Sequence, residues 1–260
     1  MIPAEKNFKL IIEYDGTAYH GWQRQKADVT IQSEIEVAVR KLTGKQISLI
    51  GSGRTDAGVH AKGQVANLHC ETGLSPDTLQ RGLNALLPKD IVILDCRHVS
   101  EGFHARFDAK NKTYRYSILN RLTPAAIGRQ YVWHIQQPLN CDAMRSGLRH
   151  IVGMHDFKAF EGAGSPRAHT VRNIIRADLL DRENGRLDFF FTANGFLKHM
   201  VRNIVGTLVE VGRGKTGPEG IGEILKAGDR SLAGATAPGH GLCLMRVSYD
   251  DSVTAASPGM

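Results

Sequence analysis

Apolar residues along the chain follow two periods, and the switch between them outlines the elements. Phe8 to Tyr14 (FKLIIEY) is a β-branched and aromatic run that stops at Asp15-Gly16, a strand followed by a turn. Thr30 then offers an N-cap, and Ile31, Ile35, Ala38, Val39 and Leu42 recur at helical spacing until Gly44. A short apolar run, Ile47 to Ile50, predicts a strand that closes on Gly51-Ser52-Gly53. Ser75 and Pro76 open a second helix with Leu79, Leu83, Leu86 and Leu87 on one face, halted by Pro88. Gln64 to His69 and Ile91 to Leu94 read as further strands.

The second half suggests the same unit again. Thr113 to Leu119 (TYRYSIL) predicts a strand, and Asn140 caps a helix with Met144, Leu148, Ile151 and Val152 on one face, stopped at Gly153. That spacing is the one shown by Ile31, Ile35, Ala38 and Val39, although many amphipathic helices share it. Strands follow at Val171 to Leu180 and Leu187 to Thr192, then a strongly apolar helix from Phe196 to Val211. Pro218 opens a short helix through Ile221, Ile224 and Leu225, and Gly241 to Tyr249 reads as a final strand. Several successive strands are joined too briefly for a parallel crossover, which needs about a dozen residues. The expectation is an α+β fold, with helices packed on a mixed or antiparallel sheet. At about 150 residues per domain the chain holds one large or two modest units. A boundary near Phe107 gives 1–106 and 107–250, and the small, polar segment 251–260 is expected to be a disordered tail.

Composition narrows the class. Hydrophobic residues at 42% and charged residues at 23% exclude a disordered chain. No apolar run approaches the roughly 18 residues of a membrane helix, and the N-terminus lacks the basic start and apolar core of a secretory signal. A soluble, cytoplasmic protein is expected. Lys and Arg number 33 against 26 Asp and Glu, a net charge of +7. That favours an anionic partner, nucleic acid first, though a basic enzyme that only keeps itself soluble has the same balance. Cys70, Cys96, Cys141 and Cys243 contain no CxxC pair, so they read as scattered reduced thiols. Gly214-Lys215-Thr216 lacks the first glycine of a P-loop, where Val209 stands, and Gly51-x-Gly53 lacks the third of a dinucleotide fingerprint, where Asp56 stands. Nucleotide-cofactor, metal and thiol chemistry all lose support.

Three segments carry candidate chemistry. Gly53 to Ala61 (GRTDAGVHA) places Arg54, Thr55, Asp56 and His60 among small residues just past an apolar run, a loop that lets a ligand approach closely. An Asx turn built by Asp56 on nearby backbone N–H groups explains the same string. Arg202 lies among Met200, Val201, Ile204, Val205, Leu208 and Val209. A buried cation there needs a carboxylate or a phosphate, and Asp56 is the best carboxylate available. At about 4 Å and an effective dielectric near 20 the pair attracts by roughly 4 kcal/mol, which would hold Asp56 ionised as a nucleophile or general base. Phe103 to Phe107 (FHARF), followed by Lys110, Lys112, Tyr114, Arg115 and Tyr116, interleaves aromatic and basic residues. Alternation puts Tyr114 and Tyr116 on one face, which suits either a stacked nucleobase or an ordinary core.

Taken in order, these segments together with Glu13-Tyr14-Asp15-Gly16, Tyr19 to Gln25 (YHGWQRQ) and His199 to Gly206 (HMVRNIVG) closely resemble the bacterial-type anticodon-arm tRNA pseudouridine synthases. The match runs through nearly the whole chain, and the RTDAGVH string alone is highly specific. The resemblance implies that Asp56 is the catalytic aspartate, Tyr114 the active-site tyrosine against the target base, and Arg202 the basic partner of the aspartate. It implies that Arg54 helps displace or replace the target nucleotide. It further implies two similar, ferredoxin-like α/β halves sharing a continuous, mainly antiparallel sheet with a central cleft, in a homodimer. Departures are small: Cys243 stands where the family often has an aromatic, and Ala125-Ala126 varies a connecting loop.

The reaction implied is isomerisation of uridine to pseudouridine at tRNA positions 38, 39 and 40, with no cofactor and no metal because nothing is oxidised and no atom is added. One carboxylate suits it, whereas hydrolytic glycosidases use two. Arg24, His60, Arg106 and Lys198 are further candidates for substrate binding, with Lys62, Lys110 and Lys112 as additional phosphate contacts. Each basic side chain has the alternative of being a solvated surface charge. Tyr114 is expected to stack on the base and to help in losing the C5 proton. A catalytically silent RNA-binding factor and an enzyme of free nucleosides are the competing classes. The intact Asp56, Tyr114 and Arg202 oppose the first, and the charge of +7 opposes the second.

Overall fold

The β-branched and aromatic run at Phe8 to Tyr14 lies in β1 (Glu5–Tyr14), with Phe8, Leu10, Ile12 and Tyr14 turned into the core. The structure, a computed structural model, describes residues 4–164 and 169–250. The tail expected at 251–260 lies outside them. Helix α1 (Ile31–Thr43) is capped by Thr30, whose Oγ1 accepts the Ser33 N–H while Ser33 Oγ accepts the Thr30 N–H, and it ends at Gly44 with φ of 70°. Strands β2 (Ile50–Gly51) and β3 (His60–Glu71), helix α2 (Pro76–Leu86) and strand β4 (Ile91–Val99) complete the first half. The second half runs β5 (Asn111–Asn120), β6 (Trp133–Ile135), α3 (Cys141–Arg149), β7 (Gly153–Asp156), β8 (Val171–Asp181), β9 (Arg186–Ala193), α4 (Met200–Gly212), α5 (Gly220–Ala227) and β10 (Leu242–Ser248).

These strands form one sheet in the order β4-β1-β3-β10-β5-β9-β8-β7, with β2 attached to β3 and β6 to β5. The described residues therefore fold as α+β on a mixed, mainly antiparallel sheet of 10 strands. The chain's last strand sits at the centre. β10 runs antiparallel to β5 but meets β3 in parallel through only two residue pairs, Cys243 with His60 and Leu244 with Ala61. Register across this seam aligns Tyr14, Ala61, Leu244, Tyr114 and Phe191 in one row. The loop that carries Asp56 enters β3 at His60, one residue before that row.

Three elements differ from the sequence pattern, each for a local reason. The apolar helix starts at Met200 rather than Phe196, because His199 takes the left-handed conformation (φ 59°) and the chain before it folds back over the sheet. Helix α3 ends at Arg149, so Ile151 is buried from a turn and Val152 is 42% exposed. The run Ile47 to Ile50 yields strand only from Ile50. In α4 every residue but Arg202 and Glu210 is buried. Gly206 makes that possible: a Cβ there would lie 1.8 Å from the Ala235 carbonyl oxygen, in a segment that straps the helix.

Candidate active site

The Asp56 loop is held from behind by main-chain contacts. Thr55 O accepts the Trp22 N–H at 3.0 Å, Tyr19 O accepts the Gly58 N–H at 3.3 Å, and Tyr14 Oη pairs with Thr55 Oγ1 at 2.8 Å in the core. Gly21 (φ 89°) is needed for this approach, since a Cβ there would stand 2.5 Å from Thr55 O. The turn at Asp56 is closed by its backbone carbonyl, which accepts the Val59 N–H at 3.1 Å. Its carboxylate is thus released from Asx-turn duty and points across the seam.

There it meets α4. Arg202 Nη1 donates to Asp56 Oδ2 at 2.9 Å while Arg202 Nε donates to Ala237 O at 2.7 Å. The guanidinium is 16% exposed and the carboxylate 30%. The two bonds fix the guanidinium in one plane, and Ala237 returns its N–H to Arg202 O at 3.1 Å. His199 Nε2 approaches the same Oδ2 at 3.5 Å. Both neighbours act on Oδ2. Burial holds His199 below the usual histidine range, with Asp56 opposing and Arg202 reinforcing that shift, so the imidazole is neutral at pH 7. His199→Asn keeps a residue that tolerates the left-handed region but withdraws the ring. We expect stability within about 1 kcal/mol of wild type by urea denaturation, since a neutral ring 3.5 Å from Oδ2 contributes little.

Tyr114 is buried on the same sheet face, its ring edge-on to Phe196 at 5.0 Å. Burial first, then the charges of Tyr14 and Asp56, raises its phenol well above the ordinary value, so it is protonated at neutral pH. Tyr116, expected on the same face, is fully buried and donates to Pro238 O at 2.9 Å. The Tyr114 phenol feels the charge of Asp56, and that of Tyr116 the charge of Arg202.

The remaining candidates separate. Arg54 is exposed beside Asp56 and donates from Nε to Gln23 Oε1 at 2.9 Å. Arg24 is tied to Glu36 of α1 at 3.0 Å. Lys198 donates to Ala163 O at 2.8 Å, and Arg106, Lys62 and Lys110 are exposed. His60 is buried. It is 5% exposed, with Nε2 against Gln130 O and His240 O, both at 3.1 Å, and Nδ1 accepting the Gly16 N–H at 3.0 Å. Those contacts tie its ring to the turn at Gly16 and to the carbonyls of Gln130 and His240.

Lys112 is also different from a solvated cation. Its Nζ donates to Ser52 O at 2.6 Å, beneath the Asp56 loop. Burial, then the charge of Arg106, pulls its pKa from 10.5 down to about 8. Below pH 8 both folded and unfolded states hold this proton, and the folded state carries the desolvation cost. Between about pH 8 and 10.5 the folded state sheds it first, so stability rises with pH across that window. Relative to Lys112→Met, wild type should gain up to about 3 kcal/mol between pH 7.5 and pH 10.5 in urea denaturation.

Among the described residues no cluster of three or more His, Cys, Asp or Glu side chains is arranged to hold a metal ion, and no helix is long and apolar enough to cross a membrane. The profile of the tRNA pseudouridine synthase family matches residues 10–108 and 148–250. The chain belongs to that family. Among its similar relatives, "tRNA pseudouridine synthase A" of Clostridium acetobutylicum is 47% identical over 244 residues, covering 94% of this chain and 100% of the relative. The protein of that name in Acetivibrio thermocellus is 46% identical over 244 residues with the same coverage. "tRNA pseudouridine synthase A 1" of Desulfotalea psychrophila is 45% identical over 250 residues, again covering 94% and 100%. The family spans contain Asp56, His199 and Arg202, while Tyr114 lies between them and reaches the site through the β10–β5 register.

Proposed function

We propose that this member of the family isomerises uridine to pseudouridine at positions 38, 39 and 40 in the anticodon arm of tRNA, with Asp56 as the essential carboxylate. The observation that carries the reading is the Asp56–Arg202 pair at 2.9 Å, set at the seam of the sheet beside Tyr114. In the reaction the C1′–N1 bond breaks, the uracil turns, the C1′–C5 bond forms, C5 gives up its proton and N1 is left protonated. Atoms and electrons balance without an oxidant, so the proposal includes no cofactor. A single carboxylate serves by attack at C1′ or by removal of the C2′ proton. Both routes use a fixed Asp56 carboxylate, which the Arg202 bond to Oδ2 supports. Tyr114, protonated at neutral pH, offers the base a neutral ring and hydroxyl, which favours its stacking role over that of a phenolate base. Extracting the target from its stack costs a few kcal/mol, which contacts from Arg54, Arg106 and Lys198 would offset.

The deciding experiment is tritium release from unmodified tRNA carrying 5-tritiated uridine, with free tritiated uridine in parallel. Release from tRNA alone, lost when positions 38 to 40 carry no uridine, upholds the reading. Binding of tRNA without release would overturn it in favour of a silent RNA-binding factor.

A further inference from the structure

We propose that Phe107 is a nucleobase-stacking shelf, on which an unstacked base of the RNA substrate rests beside the Asp56 loop. The idea relies on the proposed function only for its partner, an RNA. Phe107 is 74% exposed, yet its loop is tightly built. The His104 ring stacks on it with centroids 4.2 Å apart and planes at 30°. His104 Nδ1 accepts the N–H groups of both Arg106 and Phe107 at 3.2 Å, and Asp108 Oδ2 accepts the His104 N–H at 2.9 Å. Beneath, fully buried Ala105 is anchored on both sides: its N–H donates to Asn67 Oδ1 at 2.9 Å, and its carbonyl accepts Tyr249 Oη at 2.7 Å. An aromatic ring is therefore presented to solvent with its backing already ordered, which lowers the entropy cost of a stacked partner.

The surroundings select the partner. A protein-docking patch would continue in apolar residues, but Arg106, Asp108 and Lys110 around Phe107 are all exposed and charged. The Arg106 guanidinium lies over the Phe107 ring, 5.6 Å from its centroid, a cation held where a phosphate would accompany a base. Because Nδ1 of His104 is occupied as an acceptor, its ring proton is on Nε2, a further donor. The shelf loop leads directly into β5, whose Lys112 Nζ sits 2.6 Å from the carbonyl oxygen of Ser52, the residue before the Asp56 loop.

The test is equilibrium binding of an unmodified tRNA transcript to the full chain as wild type, Phe107→Ala, Phe107→Tyr and Phe107→Leu, over a range of salt. Stacking of one base tightens binding about 5- to 150-fold. Phe107→Ala and Phe107→Leu should weaken binding by about tenfold or more, and Phe107→Tyr should stay within about twofold of wild type. The salt slope should be unchanged by Phe107→Ala and reduced by about one in Arg106→Gln. Binding by Phe107→Ala within twofold of wild type would overturn the shelf, as would rescue by Leu equal to that by Tyr. Binding is read apart from turnover. A chain that held tRNA through Phe107 but released no tritium would uphold the shelf and overturn the isomerase reading; no binding of tRNA at all would overturn both.

Discussion

Asp56→Asn lowers tritium release from tRNA by about 10³-fold or more while leaving the protein folded and able to bind tRNA. The amide keeps the shape of the carboxylate and still accepts from Arg202 Nη1, so the pinning of the loop through Thr55, Asp56 O and Gly58 is unaffected. What is lost is the negative charge, and with it both chemistries open to the residue, attack at C1′ and removal of the C2′ proton. Loss of a positioned base or nucleophile corresponds to about 4 kcal/mol or more of transition-state stabilisation. Stability changes less, because the Arg202 left without a counter-charge is still hydrogen-bonded to Ala237 O and retains some solvent. Urea denaturation should show a drop of about 1–3 kcal/mol. Release within tenfold of wild type would remove Asp56 from the chemistry.

How much of this arrangement could be read in the sequence depends on the range of the forces involved. Local signals were legible. Thr30 and Gly44 bracket α1, Ser75-Pro76 opens α2, and the β-branched and aromatic run FKLIIEY gives β1, because caps and local propensity act within a few residues. The Asp56–Arg202 contact joins residues 146 positions apart, yet it was also legible, since a lone cation in an apolar helix demands a partner. What escaped depends on tertiary context. Left-handed His199 shortens α4, and no local rule marks a histidine for that conformation. His60 sits in the same string as Asp56 and reads equally functional, but strand β3 begins at that residue and carries it inward, under carbonyls from positions 130 and 240. Lys112 reads as one more surface cation until β5 places its ammonium beneath the loop. The central place of β10 could not be read either, because a two-pair parallel contact between the chain's last strand and β3 has no sequence signature.

Arg202 discriminates between two ways of using a cation, and its variants have distinct expected signatures. In the structure the guanidinium is committed, Nη1 to Asp56 and Nε to Ala237 O. Arg202→Met should then reduce kcat by about 10²- to 10³-fold, through loss of the bond that aims the carboxylate, and leave KM for tRNA within about twofold. Arg202→Lys should recover only part, leaving kcat about 10- to 50-fold below wild type, because a point ammonium cannot satisfy Asp56 and Ala237 O together as the planar fork does. Were Arg202 a phosphate ligand, KM would rise, kcat would hold, and the salt slope of tRNA binding would fall by about one. The double variant sharpens the distinction. If Arg202 acts through Asp56, adding Arg202→Met to Asp56→Asn costs little more than Asp56→Asn alone, since the group being positioned is already gone. Additive losses would separate the two residues and return Arg202 to the RNA.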